Sequence, residues 1–351
     1  MYYISGMLRE NNVKSLPKEK RQNRGWLRKV RYTFQWGLFF FIIYGGYRFY
    51  LFTEHFVTAD APYVPRAPLV EGFLPIGSLM TLKLWLTTGI FDTIHPAGIV
   101  IFAAALLMSA LFKKSFCGWI CPVGALSEFL YKIGARIFGR NFTIHRYVDY
   151  PLRSLKYLIM GFFLYVVLFK MNSSAIQAFL DAPYWKVADV KMLHFFTAMT
   201  TTTAVTLGVL GVLSLFFRNF WCRYLCPYGA LVGLLSYLSP LKITRNEEDC
   251  IHCRRCSKHC PSQIDVEGKS RVSSPECTGC LTCVSRCPAR GALDMAVPRL
   301  KPSPPLLFAL LALAVFFGAI WTAKLTGSWE SSVTYEQYRS FVPMVSKFAH
   351  P

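Results

Sequence analysis

Eight of the twelve cysteines in this chain fall into two short runs that share one spacing. Cys250, Cys253, Cys256 and Cys260-Pro261 form the first run, and Cys277, Cys280, Cys283 and Cys287-Pro288 the second. Each reads C-x2-C-x2-C-x3-C-P. Two-residue gaps let a tight loop present three thiolates to one small inorganic core, while the fourth comes from elsewhere in the chain. Zinc sites usually use two separated pairs. A triplet followed by Cys-Pro, twice over, therefore points to two 4Fe-4S clusters. Cluster binding is coupled to folding, so this stretch must fold around its metal.

The spacing resembles that of bacterial two-cluster ferredoxins. The resemblance implies a small α+β domain at 241–300, in which the last cysteine of each run serves the other cluster. On that pattern Cys250, Cys253, Cys256 and Cys287 hold cluster one, and Cys277, Cys280, Cys283 and Cys260 hold cluster two. His252 and His259 lie within the first run and are not needed as ligands. Cysteine concentrated in metal-ligand spacing implies a reducing compartment for this part of the chain.

The rest of the chain reads as a helical membrane protein. Residues are 53% hydrophobic and 17% charged, and 16% are aromatic, a balance that suits a bundle of spans better than a soluble enzyme. Five apolar stretches are candidate spans: Phe34–Phe52, Pro96–Phe112, Leu155–Phe169, Phe195–Phe217 and Pro305–Leu325. A helix needs about 20 residues to cross the hydrocarbon; the second and third stretches are short of that. This divides the chain into a basic segment 1–33, a four-span domain 34–240, the ferredoxin domain 241–300, and a fifth span with a short tail, 301–351. The stretch Gly77–Phe91 is broken by Lys83 and Gly89 and reads as an interfacial or re-entrant helix. Trp185 reads as an interfacial anchor.

A formal charge of +20 would suit nucleic acid in a soluble protein. Here membrane topology accounts for it, and no nucleic-acid partner is expected. Lys and Arg number 30 on the side shared by the N-terminus, the loop after the second span and the ferredoxin runs, against 9 on the other side. By the positive-inside rule the ferredoxin domain faces the cytoplasm and the tail from about Thr326 lies outside. The basic run before the first span has no short apolar region with a small-residue cleavage site, and reads as an uncleaved signal anchor. The expected location is a bacterial cytoplasmic (inner) membrane, crossed several times, with lipid as one partner.

The other four cysteines form a second repeat. Cys117/Cys121 and Cys222/Cys226 lie in FCGWICPVGAL and WCRYLCPYGAL, each after a span running from outside to inside. This points to an internal two-fold duplication of two spans plus motif. Pro122 and Pro227 suit the first turn of a following helix, which puts Cys121 and Cys226 at helix N-termini, where the dipole lowers a thiol pKa. Three readings stand side by side for the four thiols: a further metal or cluster, a redox-active dithiol set, or small buried apolar residues. His95 and His194 each begin an outside-to-inside span. An imidazole there suits a quinone oxygen or a haem iron, or is a polar helix end. Asp92, Asp181, Asp189 and Lys186 read as solvated loop charges, with proton handling at a quinone site as the alternative. No P-loop, G-x-G-x-x-G or hydrolase triad is present; the catalysis open to such a chain is quinol oxidation or reduction, as the electron-transfer component of a quinol dehydrogenase.

Several spans, two C-x3-C-P motifs and a two-cluster ferredoxin together resemble the NapH-type membrane iron–sulfur proteins, over roughly residues 35–325. The region from Arg66 to Pro96 followed by FCGWICPVGAL is also similar to electron-transport relatives with a fifth span after the ferredoxin. NosR-type regulators share the membrane half but add a flavin-bearing domain for which this chain has no room. CcoG-type copper reductases carry a longer outside domain. The resemblance implies electron transfer between the quinone pool and a redox partner such as an iron–sulfur or cytochrome subunit. A reductase or assembly factor delivering electrons to copper or iron, and a redox-sensing regulator, are the two other readings.

Overall fold

Helices dominate the chain, as a bilayer requires of any segment whose backbone N–H groups must find partners within that segment. The computed structural model describes residues 17, 20–58, 60–297 and 304–348. Most of the basic segment before residue 20, with Arg299 and Lys301, lies outside the described residues.

Among the described residues, two helices are long and apolar enough to cross a membrane, Arg146–Lys170 and Pro305–Leu325. Their apolar side chains are largely uncovered, Leu158, Phe162, Phe169, Leu310 and Trp321 among them, as lipid-facing surfaces are. The third expected span, Leu155–Phe169, thus starts a good two turns earlier, at Arg146. The fourth expected span, Phe195–Phe217, is not one helix. It is broken into Ala188–Thr197 and Thr201–Phe216, bent by 74°; if the pair counts as one span, the total becomes three. The cause is the Thr200–Thr203 run. The Thr200 Oγ1 accepts the Thr203 N–H at 3.2 Å and so caps a new helix. Of the remaining expected spans, Gly25–Val57 has the length, but Tyr, Trp and Gly dilute it. Pro96–Phe112 has the composition but only 17 residues.

By residue contacts the chain divides into two compact units. The first comprises residues 1–38, 107–156 and 212–314; the second comprises 39–106, 157–211 and 315–351. The chain passes between them five times, each time inside a helix.

The first unit holds the ferredoxin fold. Strands β1 (Lys242–Arg245), β2 (Arg271–Val272) and β3 (Leu293–Ala296) form an antiparallel sheet in the order β2-β1-β3. Ile243 lies opposite Val272 and Met295, and all three side chains are buried. Residues 20–24, part of the basic segment 1–33, add to this fold. Gln22 N–H donates to the Pro288 carbonyl at 2.8 Å and its side chain to the Ala289 carbonyl at 2.7 Å. Arg24 pairs with Asp294.

In the second unit, Phe49, Phe52, Val187, Val190, Tyr338, Val342 and Val345 form one core. Tyr338 belongs to the helix Tyr335–Phe341, started by a reciprocal Thr334–Gln337 capping box. The C-terminal segment is therefore folded into this unit. The expected interfacial helix is Pro75–Thr88, stopped by Gly89 at φ 77°. It packs on protein, burying Met80 and Leu84 against Ile176, Leu180 and Trp185. Trp185 is thus a core residue rather than an interfacial anchor, because the ring occupies the space that a Cβ at Gly77 would need.

Candidate functional site

The two ferredoxin runs share a local backbone. His252 and Arg254 in the first, and Gly279 and Leu281 in the second, have positive φ of 52°, 56°, 58° and 55°. These are the second and fourth residues after the leading cysteine of each run. A left-handed residue costs about 1–2 kcal/mol unless it is glycine, so three of the four are held by their surroundings. The alternation curls each loop inward. One cavity of about 340 Å³ is lined by Cys250, Cys253, Cys256 and Cys287, with Ile251, Ala289, Ala292 and Leu293. Another of about 360 Å³ is lined by Cys260, Cys277, Cys280 and Cys283, with Ile243, Val266, Val272 and Leu281. Each takes three thiols from one run and the fourth from the other.

Four thiols in an apolar wall suit an iron–sulfur core. Among the described residues, no three Cys, His, Asp or Glu side chains converge closely enough for a single metal ion. The sets fit a group that fills a cavity. Burial pushes the Cys260 and Cys287 thiols up to about 12; they become thiolates when a positively charged core binds. His252 turns to Glu267 at 3.1 Å and His259 to the Arg255 carbonyl at 2.9 Å, both away from the thiols.

The C-x3-C-P copies also repeat in detail. Cys121 N–H reaches back five residues to the Phe116 carbonyl, and Cys226 N–H to the Trp221 carbonyl, both at 3.0 Å. This wide turn is of the π kind, common at functional sites. Cys121 and Cys226 then cap the helices Pro122–Ile137 and Pro227–Leu235, each with Pro in the first turn. The Gly229 N–H donates to Cys226 Sγ at 3.2 Å, whereas Cys121 makes no such side-chain cap bond. Glycine is needed in the first motif, where a Cβ on Gly124 would lie 2.5 Å from the Cys117 carbonyl. The N-terminal positions are as expected, but the thiol chemistry is not. Burial outweighs the helix N–H groups and pushes Cys121 up to about 11, and Cys117 to about 12.

All four thiols lie in the first unit, and each is within electrostatic range of the other three. Lys114 sits among them. Burial works against its charge, but the Glu276 carboxylate leads the groups that outweigh it, and the Lys114 pKa is raised. A cavity of about 530 Å³ is lined by Cys117, Cys222, Lys114, Arg218 and Arg223 with ferredoxin residues Pro261 and Thr278.

The motifs grip the ferredoxin loops crosswise. From the first motif, Trp119 Nε1 donates to the Gly279 carbonyl at 3.1 Å, and Gly118 lies against the Thr278 carbonyl, 2.7 Å from where its Cβ would be. From the second, Arg223 donates to the Ser262 carbonyl at 2.8 Å and Asn219 to the Pro261 carbonyl at 3.3 Å. Both contacts reach loops that carry Cys277 and Cys260, members of the same four-thiol set.

The histidines do not match each other. His95 immediately precedes the helix Pro96–Phe112, whereas His194 lies in the last turn of Ala188–Thr197, before the break. His95 is buried, with Nε2 2.7 Å from the Trp185 carbonyl and Nδ1 3.4 Å from Glu71. Arg66 bridges Glu71 and Asp189, at 2.6 Å each. Asp189 and Asp92 are therefore buried rather than solvated, and Trp185 Nε1 donates to Asp92 at 3.2 Å; Asp181 is exposed and Lys186 half-buried. Arg66 and Glu71 carry no sequence signal. Their partners are distant in sequence, and a lone Arg in a Pro-rich loop reads as surface.

Residues 94–141 and 199–246 each match the family described as "4Fe-4S binding domain", and residues 242–288 match the "4Fe-4S dicluster domain". The chain is 42% identical over 315 residues to YccM of Escherichia coli (strain K12), whose name describes it, provisionally, as an electron transport protein; the match covers 88% of each chain. It is 23% identical over 296 residues to the ferredoxin-type protein NapH of the same organism, covering 79% of this chain and 93% of that one. It is 29% identical over 194 residues to the regulatory protein NosR of Pseudomonas aeruginosa, covering 52% of this chain and 24% of that one. No solved structure matches significantly. The chain belongs to the NapH-type family of 4Fe-4S electron-transport proteins.

Proposed function

We propose that this chain is an electron-transfer protein of a bacterial cytoplasmic membrane, passing electrons between the quinone pool and a redox partner protein. The observation that carries the reading is the pair of four-thiol cavities, each drawing on both cysteine runs. Cys250, Cys253, Cys256 and Cys287 would hold cluster one, and Cys277, Cys280, Cys283 and Cys260 cluster two. When bound, such clusters accept and release one electron at a time, which splits the two-electron quinol couple. Apolar side chains wall most of the second cavity, whereas Arg245, Arg254 and Glu267 join Ile251, Ala289, Ala292 and Leu293 around the first; Trp119 and Arg223 fix the loops of the second set. A quinol also loses two protons. In the second unit, His95 with Arg66, Glu71 and Asp189 forms a buried ionisable group suited to accept one.

The five-span topology and the two-fold repeat belong to the same proposal. In support, each passage between the units lies in a helix overlapping one of the five apolar stretches. The two "4Fe-4S binding domain" matches also carry their cysteine pairs at the same offset. Residues 241–300 are taken as the ferredoxin domain, facing the cytoplasm.

The test is reduction by added quinol of anaerobically purified protein, followed by bleaching of the cluster absorbance. Quinol should bleach the clusters. Clusters that dithionite reduces but no quinol does would reject the quinone role.

A further inference from the structure

Two cysteines of each C-x3-C-P motif are too few for a cluster, but the two motifs meet in one place. We infer that Cys117, Cys121, Cys222 and Cys226 together hold a third iron–sulfur cluster, beside the cavity of Cys260, Cys277, Cys280 and Cys283. Four observations converge on it.

The first is donor arithmetic. Residues 94–141 contain only Cys117 and Cys121, and residues 199–246 only Cys222 and Cys226, yet both match a 4Fe-4S binding family. An iron–sulfur cluster takes four thiolates, so neither copy suffices and both together do. The second is convergence: every thiol is within range of the other three, and one from each motif, Cys117 and Cys222, lines a shared cavity.

The third is rigidity. Twin π-type turns hold Cys121 and Cys226 in matching frames at the starts of their helices, and Cys226 Sγ receives the Gly229 N–H. Hydrogen bonds to thiolate sulfur are a tuning element of cluster sites. A set of merely space-filling cysteines has no need of them. The fourth is charge. A cubane with four thiolates carries about −2 in its oxidised state, and Arg31, Lys114, Arg218 and Arg223 line the cavity against two carboxylates, Glu128 and Glu276.

Adjacency follows from the contacts of Trp119 and Gly118 with the Cys277 loop and of Arg223 and Asn219 with the Cys260 loop.

The inference rests on the two-cluster reading of the ferredoxin, and one preparation separates the two. Protein purified anaerobically should contain about twelve iron and twelve sulfide, against about eight for the ferredoxin alone; about ten would also support the site, as a two-iron centre. The reduced protein should give three spins by electron paramagnetic resonance, with one ferredoxin signal broadened by its neighbour. Cys117→Ala and Cys222→Ala should each return the count to about eight, keep both ferredoxin signals and remove the broadening. Wild-type protein with about eight iron and two spins overturns the third cluster and leaves the ferredoxin reading intact. Protein with no cluster overturns both. Should the variants fail to assemble, the wild-type count decides alone.

Discussion

Arg31, Glu128 and Lys132 show how a buried ion pair is held next to the cluster sites. Arg31 pairs with Glu128, and its Nε donates to the Gly118 carbonyl at 2.9 Å and its Nη1 to Thr282 Oγ1 at 3.3 Å. Burial alone would raise the Glu128 carboxyl, but Arg31 and Lys132 outweigh it and hold it at about 2, against an ordinary 4.5. A pKa lowered by folding contributes stability above pH 4.5 that is lost as pH falls through 2. Glu128→Gln leaves Arg31 buried without its partner, so the variant should be less stable at neutral pH by about 3–5 kcal/mol. In anaerobic detergent unfolding, the gap to wild type should close as the pH drops from 4.5 towards 2; a constant gap rejects this account. Cys253→Ser should remove about four iron and one cluster signal; full iron content would reject the ligand assignment. The eight ferredoxin cysteines were legible as cluster ligands because thiol spacing is a local signal, whereas the four C-x3-C-P cysteines stayed open between three readings. Arg31, Lys114 and Glu276 were not legible, since a charge reads as surface until a distant partner buries it.

At the scale of elements, glycines mark where backbone touches backbone. A Cβ on Gly134, in the helix Pro122–Ile137, would collide with the Leu215 carbonyl of the helix Thr201–Phe216. Gly134→Ala should therefore separate the two helices and cost about 1–3 kcal/mol, read as a lower midpoint in thermal unfolding. Gly118→Ala meets the Thr278 carbonyl at 2.7 Å. It should shift the resonance signal of the Cys277–Cys280–Cys283–Cys260 cluster and leave the other unchanged. Equal shifts in both, or none, would mean that the first motif does not position that loop. Apolar periodicity revealed where helices occur. It missed the break at 198–200 because Thr is neutral in hydropathy, and only its capping geometry ends a helix.

On the scale of the whole molecule, charge is divided sharply. The first unit carries 30 Lys and Arg against 11 Asp and Glu, the second 9 against 8. A reporter fused after Val297 should therefore be cytoplasmic and one fused after Ser331 external; the same side for both would remove the helix Pro305–Leu325 as a span. Sequence placed the charges and the cluster runs, but not the pairing of residues 20–24 with 288–294, because main-chain bonds across such a separation leave no local pattern. That pairing has a consequence for the order of events during synthesis. Gln22 leaves the ribosome long before Ala289, its partner 267 residues on. At about 5–20 residues per second the wait is roughly 13–50 s. Cys287, the fourth thiol of the first cavity, emerges at the same late moment. The nascent chain thus holds three of that set's thiols for several seconds without a completed site, and closing the edge and completing the site become one event.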